Sequence, residues 1–271
     1  MNSNIMTLIT GGSGGIGLAI ARLLAVRGHR LMLVSRDINR LQAAAEDLRR
    51  AHGADVHVHA IDLSEPGAAQ RLFAHTQNLG LDVDWLVNNA GFGVFDEHVA
   101  IDAVELHRML QLDVVALAEL CHRYGGVMKQ RRAGRILNVA STAAFQPTPF
   151  FAAYGAAKAF VLNFSEALAK ELEDHGVSVS CLAPGPTDTA FFDTIDPHRI
   201  AHGHHFDKAG RADPSSVAAA GVALLLDGGL TRIVGLTNRV MVLSNRFAPR
   251  SIVAAVSKRL LRPRGIRVAN P

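Results

Sequence analysis

A phenol and an ammonium four residues apart, in Tyr154-Gly155-Ala156-Ala157-Lys158, form the pair in this chain best suited to proton chemistry. On a helix that spacing stacks both side chains on one face. A neutral tyrosine, with an ordinary pKa of about 10, can give its proton to an oxygen that is gaining charge. A lysine cation beside it favours the phenolate and is expected to bring that pKa down toward neutrality. Ser141, at the end of an apolar run, can hydrogen-bond the same oxygen and stabilise the developing charge. Each residue alone has a plain structural reading, the serine as a strand-end cap and the pair as a polar helix face. Only two tyrosines occur in the chain, and one of them falls here.

A second constellation is suited to phosphates. In Thr10-Gly11-Gly12-Ser13-Gly14-Gly15-Ile16-Gly17, five of the last seven residues are glycine. Such a loop turns tightly and lets the backbone approach a pyrophosphate, which then rests on the positive N-terminus of the following helix. The next apolar run ends Leu33-Val34-Ser35-Arg36. An acid there would hold a ribose 2′-hydroxyl and repel a 2′-phosphate. Ser35 removes that repulsion and Arg36 supplies a planar cation, so the sequence favours NADP(H) over NAD(H). Asp37 is the alternative partner for Arg36. Asp62, after a third apolar run, is read as an acceptor for the adenine amino group or as a turn cap.

The elements that must position these groups follow from the alternation of short apolar runs with longer amphipathic ones. Strands are expected at Ile5–Thr10, Arg30–Ser35, Ala54–Ile61, Asp84–Asn88, Gly134–Ala140, Val177–Ala183 and Thr231–Gly235. Helices are expected after Gly17 to about Arg27, then at Asp37–His52, Glu65–Asn78, Ile101–Tyr124, Phe151–His175 and Pro214–Asp227. That rhythm predicts an α/β fold with a doubly wound, Rossmann-like parallel sheet, in one domain with a C-terminal helical extension. The sheet domain is assigned to residues 1–236 and the extension to 237–271, with a break at Pro249. In such a sheet, ligands bind at the carboxyl ends of the strands, where the motifs above fall.

Taken together with Asn88-Asn89-Ala90-Gly91 after strand four and Pro184-Gly185 after strand six, this ordered set resembles the short-chain dehydrogenase/reductase family. The segment from Ile136 to Lys158 and the basic tail resemble, more loosely, its bacterial ketoacyl-reductase-like branch. The resemblance implies interconversion of a carbonyl and an alcohol with NADP(H), Tyr154 acting as acid/base. Lys158 would tune the tyrosine and hold the nicotinamide ribose, while Ser141 polarises the substrate oxygen. Gly11, Ser13, Gly14, Gly15, Ile16, Gly17, Ser35, Arg36, Asp62 and Leu63 would hold the adenosine and phosphate portions. Asn89, Ala90 and Gly91 would line the cofactor floor, and Pro184, Gly185, Thr187 and Thr189 the nicotinamide end, with Thr187 as a side-chain donor. One residue departs from that branch: Asp113 stands where asparagine is usual, in the slot thought to hold a kinked helix and a proton-relaying water. A carboxylate there is expected to offset the effect of Lys158 on Tyr154.

Composition bounds the rest. The chain has 271 residues, 49% hydrophobic and 19% charged, enough for a large core and against global disorder. Cys121 and Cys181 lie in apolar stretches and read as core thiols of a reducing, cytoplasmic protein, and MNSNIMTLIT lacks the basic start of a signal peptide. Residues 228–271 carry nine Lys and Arg and no acid, whereas the other 227 hold 19 bases against 24 acids. That excludes a globally basic, nucleic-acid-binding surface but leaves a basic C-terminal face. The tail reads either as packing on the core or a second subunit of a homo-oligomer, or as a peripheral membrane contact. His198, His202, His204 and His205 crowd an aperiodic segment, 189–213, read as a substrate-contacting loop with no metal site. His57 and His59 are expected on one solvated side of a strand. Ala143, Phe145, Phe150, Phe151, Phe191 and Phe192 favour a small hydrophobic substrate such as an acyl, polyketide or terpenoid ketone. A non-catalytic NADP(H)-binding sensor or interaction protein is the alternative.

Overall fold

Apolar residues alternate along the central strands between two packed layers. Leu8, Met32, Leu86 and Ile136 enter one core; Ile9, Leu33, Val87 and Leu137, each one residue later, enter the other. A strand apolar on both faces must be covered twice, which is the condition of a parallel sheet between helix layers. The computed structural model describes residues 4–195 and 210–262. Its strands are β1 (Met6–Thr10), β2 (Arg30–Ser35), β3 (Val56–Ala60), β4 (Trp85–Asn88), β5 (Gly134–Val139), β6 (Val177–Ala183) and β7 (Thr231–Ile233). They form one sheet in the order β3-β2-β1-β4-β5-β6-β7, every pair parallel. The order reverses between β1 and β4, so the crevice at their carboxyl ends is the expected ligand position.

Helices α1 (Gly15–Ala25), α2 (Ile38–His52) and α8 (Pro214–Asp227) supply one layer. The other contains α3 (Ala68–Asn78), α5 (Leu117–Arg131) and α6 (Ala152–Leu172). The fold is therefore the doubly wound α/β form that the sequence predicts, with C-terminal helices α9 (Leu236–Asn245) and α10 (Arg250–Leu261). Pro249 separates those two, because proline removes a helix hydrogen bond and restricts the residue before it.

Most boundaries shift by one to three residues, and three differences bear on the site. The predicted helix 101–124 is α4 (Ala103–Leu110), a π-helical turn (Gln111–Ala116) and then α5, which runs on to Arg131. Asp102 starts α4 by accepting the Val104 and Glu105 N–H groups. A π-turn inserts one residue into an otherwise continuous apolar period, so composition alone does not announce it. The last strand ends at Ile233, since Gly235 adopts φ 91° and opens α9. Within 189–213, a short helix α7 (Phe191–Thr194) follows Thr189, and Thr187 bridges Ala212 in parallel. The four loop histidines lie outside the described residues. His57 and His59 are both half-buried rather than on a solvated side, and His59 stacks on His75 of α3 at 3.9 Å.

Candidate active site

The glycine loop is held by a strap that begins at Thr10. Its hydroxyl oxygen accepts the Asn89 and Ala90 N–H groups, each at 3.0 Å, and Asn89 Nδ2 donates to the Thr10 and Gly11 carbonyls. These bonds tie the end of β1 to the end of β4. At Gly17 a Cβ would come within 2.4 Å of the Gly11 carbonyl oxygen, so glycine is required for the loop to close. Helix α1 then begins at Gly15, its N-cap Gly14 offering no side chain, with no acid in its first turn. Its leading N–H groups and positive dipole end are thus left for an anion, and they face the cleft.

That cleft, of about 630 Å³, runs from the glycine loop past Asn89–Gly91 and Ser141 to Tyr154, Lys158 and the Pro184–Thr189 turn. It brings together Gly11, Ser13, Gly14, Gly15, Ile16, Arg36, Asn89, Ala90, Gly91, Pro184, Gly185, Thr187 and Thr189 of the predicted cofactor set. Two cations stand beside the loop. Arg36 is one; the other, Arg40, was not anticipated, and its Nη2 would lie 3.0 Å from a Cβ at Gly14. The signal for Arg40 was its place four residues after Arg36, at the start of a helix. An uncapped helix N-terminus with two adjacent guanidiniums fits a dinucleotide diphosphate carrying one further phosphate.

Several predicted residues are placed elsewhere. Asp62 lies outside the cleft lining, with one oxygen accepting from the Ser64 backbone and hydroxyl and the other from Arg108. Burial opposes its charge, but the Ser64 bonds, Arg36 and Arg108 together hold its pKa below the usual value. Leu63 is buried in the core. Ser35 donates to the Asp37 carbonyl, and Gly17 supports the loop from behind. Asp37 does not take up Arg36; its carboxylate caps α2 through the Asn39 and Arg40 N–H groups. Thr187 does line the cleft, but its hydroxyl donates to Gly185 O at 2.9 Å, inside its own turn.

The catalytic candidates converge. Ser141 caps the short turn Thr142–Phe145, accepting the Ala143 N–H at 3.1 Å, and lines the same cleft as Tyr154. Cap and catalytic candidate are therefore the same residue in one geometry. Lys158 Nζ lies 5.5 Å from the Tyr154 ring centre and donates to the Val139 carbonyl. Asp113, wholly buried on the π-turn, sets Oδ2 3.0 Å from Lys158 Nζ and accepts the Phe92 N–H on Oδ1. Gly91 makes room for this pair, since a Cβ there would sit 3.0 Å from Asp113 Oδ1 and 3.2 Å from Lys158 Nζ.

The electrostatics correct one expectation. Burial pushes the Tyr154 pKa up; Asp113 pushes the same way, and together they outweigh the opposing pull of Lys158 and Ser141. The phenol is therefore held neutral and not drawn toward phenolate. Burial works against the Lys158 cation, yet Asp113 and Tyr154 reverse that and raise its pKa. Burial likewise raises that of Asp113, against the attraction of Lys158.

Aromatic side chains line the substrate end. Phe151 stacks on Tyr154 at 4.3 Å and Phe191 lies 5.5 Å from it, with Phe92, Phe192 and Ala143 beside them. Phe145 packs instead on the main core and Phe150 on Phe95. Asn238, Met241, Ser257, Leu260 and Leu261 bring α9 and α10 into the cleft wall. The periodicity of the tail marked these residues as helical but not as part of the site.

A Rossmann-like sheet, a glycine loop at the first strand–helix junction and a convergent serine–tyrosine–lysine set are the arrangement of the short-chain dehydrogenase class. The short chain dehydrogenase family profile matches residues 6–200. The chain belongs to the short-chain dehydrogenase/reductase family. It is 33% identical to the 17-beta-hydroxysteroid dehydrogenase type 3 of Mus musculus, over 65% of this chain and 58% of that protein. It is 34% identical to a very-long-chain 3-oxoacyl-CoA reductase of Phaeosphaeria nodorum, over 65% of this chain and 52% of that one. The match thus spans little more than half the length of these curated relatives, and their names do not resolve a branch. Among solved structures, it is similar to a short-chain dehydrogenase from Sphingobium yanoikuyae in complex with NADPH. The TM-score is 0.78 and the identity 28%, over 98% of both chains. It is also similar to the bulky-bulky ketone specific alcohol dehydrogenase from Comamonas testosteroni, with TM-score 0.76 and 26% identity over 100% of this chain and 98% of that one.

Proposed function

We propose that this protein reduces a bulky apolar ketone to a secondary alcohol with NADPH. The observation that carries this reading is the convergence of Ser141, Tyr154 and Lys158 on an aromatic-walled cleft that also holds Arg36 and Arg40. A bound nicotinamide supplies the hydride. Arg36 and Arg40 hold the added phosphate, Lys158 the nicotinamide ribose, and the open end of α1 the diphosphate. Ser141 and Tyr154 donate hydrogen bonds to the substrate carbonyl oxygen, and Tyr154 passes its proton there as charge develops. A phenol whose pKa is raised by burial and by Asp113 stays protonated over a wide pH range, which suits the acid of a reduction.

Phe92, Phe151, Phe191, Phe192 and Met241 exclude water and offer an apolar surface to a wide substrate rather than to a small polar one. The names of the steroid, 3-oxoacyl and bulky-ketone relatives support that substrate class, and the 3-oxoacyl match supports the ketoacyl-reductase-like branch. The test is titration with NADPH and NADH, followed by turnover on fused-ring, aryl and long-chain ketones with Tyr154→Phe as the blank. Preference for NADPH and turnover that Tyr154→Phe abolishes are expected. Equal NADH binding would overturn the cofactor assignment. Tight NADPH binding without turnover on any ketone would favour a cofactor-binding sensor.

A further inference from the structure

The apolar residues of the C-terminal helices divide into two stripes, and only one is buried. Val242, Val253 and Ser257 turn inward, and Asn245 Nδ2 fastens α9 to Gln146 Oε1 at 2.7 Å. Leu236, Val240 and Leu243, at helical spacings of four and three, and Phe247 in the next turn face outward, with Leu236 77% and Phe247 89% exposed. In α10 the outward stripe is Ile252, Val256 and Leu260, each four residues on. The last of these is also a wall of the cleft, so the exposed stripe is continuous with the rim of the site.

The charges on this element are of one sign. Between Leu236 and Arg262 stand Arg239, Arg246, Arg250, Lys258, Arg259 and Arg262, and no acid. Arg250 occupies the first position of α10, where the helix dipole favours an acid and disfavours a cation. Its charge works against the helix that carries it, as expected if it serves a partner. A second copy of this chain would set cation against cation across a symmetric contact, whereas an anionic lipid surface offers both the negative charge and the apolar depth.

We propose that α9 and α10 form a docking face for an anionic lipid bilayer, with Leu236, Leu243, Phe247 and Ile252 entering the interface and the arginines on the headgroups. The proposal goes beyond the reductase assignment and stands or falls independently of it. Docked this way, the mouth of the cleft at Leu260 meets the surface in which apolar molecules dissolve.

The full chain is sedimented with vesicles of phosphatidylcholine alone and of phosphatidylcholine with phosphatidylglycerol, at low and high salt. Binding to the anionic vesicles, weakened by salt, is expected. Phe247→Asp is expected to weaken it by about tenfold or more, and Arg250→Glu by about fivefold, with unchanged circular dichroism and NADPH titration. No sedimentation with anionic vesicles would overturn the proposal, as would equal binding to neutral ones. Light scattering then identifies the occupant. A dimer lost in Phe247→Asp makes the face an interface between copies and overturns the lipid assignment.

Discussion

Lys158 Nζ lies 3.0 Å from the wholly buried Asp113 Oδ2, so the cation beside Tyr154 is already paired with a carboxylate. Its effect on the phenol is offset at the source. Asp113 acts through Lys158 and adds to burial in raising the Tyr154 pKa.

Replacing it tests that relation. Asp113→Asn removes the negative charge facing Tyr154 and Lys158, so both pKa values should fall. Reduction needs the neutral phenol, and its alkaline limb should move to lower pH; oxidation needs the phenolate, and its onset should move the same way. Rate profiles in both directions read this. Superimposable profiles for the variant and the parent would show that the carboxylate does not tune the tyrosine.

The cofactor preference should reside in two arginines and not in Arg36 alone. Arg36→Ala and Arg40→Ala are each expected to weaken NADPH binding by about tenfold, with NADH binding changed far less. Fluorescence titration of the single and double variants measures this. Loss of both cofactors together would instead indicate damage to the glycine loop, which Arg40 approaches at Gly14.

Gly93 supports Tyr154 at one remove. A Cβ there would meet Phe151 Cζ at 2.4 Å, and Phe151 stacks on the Tyr154 ring. Gly93→Ala should therefore displace the ring pair and lower kcat by about tenfold or more, while NADPH affinity is retained. Unchanged kcat would mean that the Phe151 stack does not position the phenol.

Stability should fall in alkali before activity chemistry explains it. Burial pushes Cys121 and Cys181 from 9.0, and Tyr124 from 10.0, up to about 12. These groups are neutral when protonated, so their burial contributes fully below the unfolded pKa. Above pH 9 the unfolded chain loses protons that the fold retains, and the contribution declines until the folded values are passed near 12. Each group should steepen the decline by about 1.4 kcal/mol per pH unit. Cys121→Ser, which keeps a hydroxyl for the Asn88 and Asn138 contacts, should reduce that slope in denaturant titrations between pH 9 and 11.

By itself the sequence determined the sheet, the phosphate loop and the serine–tyrosine–lysine set. Strand–helix alternation and glycine spacing are local properties of the chain, and Tyr154 and Lys158 share a face through helical geometry alone. Only the tertiary structure decided which neighbours compete for each polar atom. Asp62 lay at the right place in the sequence, but Ser64 and Arg108, the second from a distant helix, occupy its oxygens. Thr187 had the right residue type, but its turn closes on Gly185. The acidity of Tyr154 could be argued in either direction from sequence, because burial and the distance to Asp113 set it, and neither is written in spacing. The π-turn that brings Asp113 to Lys158, and the helices α9 and α10 that wall the cleft, depend on contacts between residues far apart in the chain. Local periodicity carries no record of them.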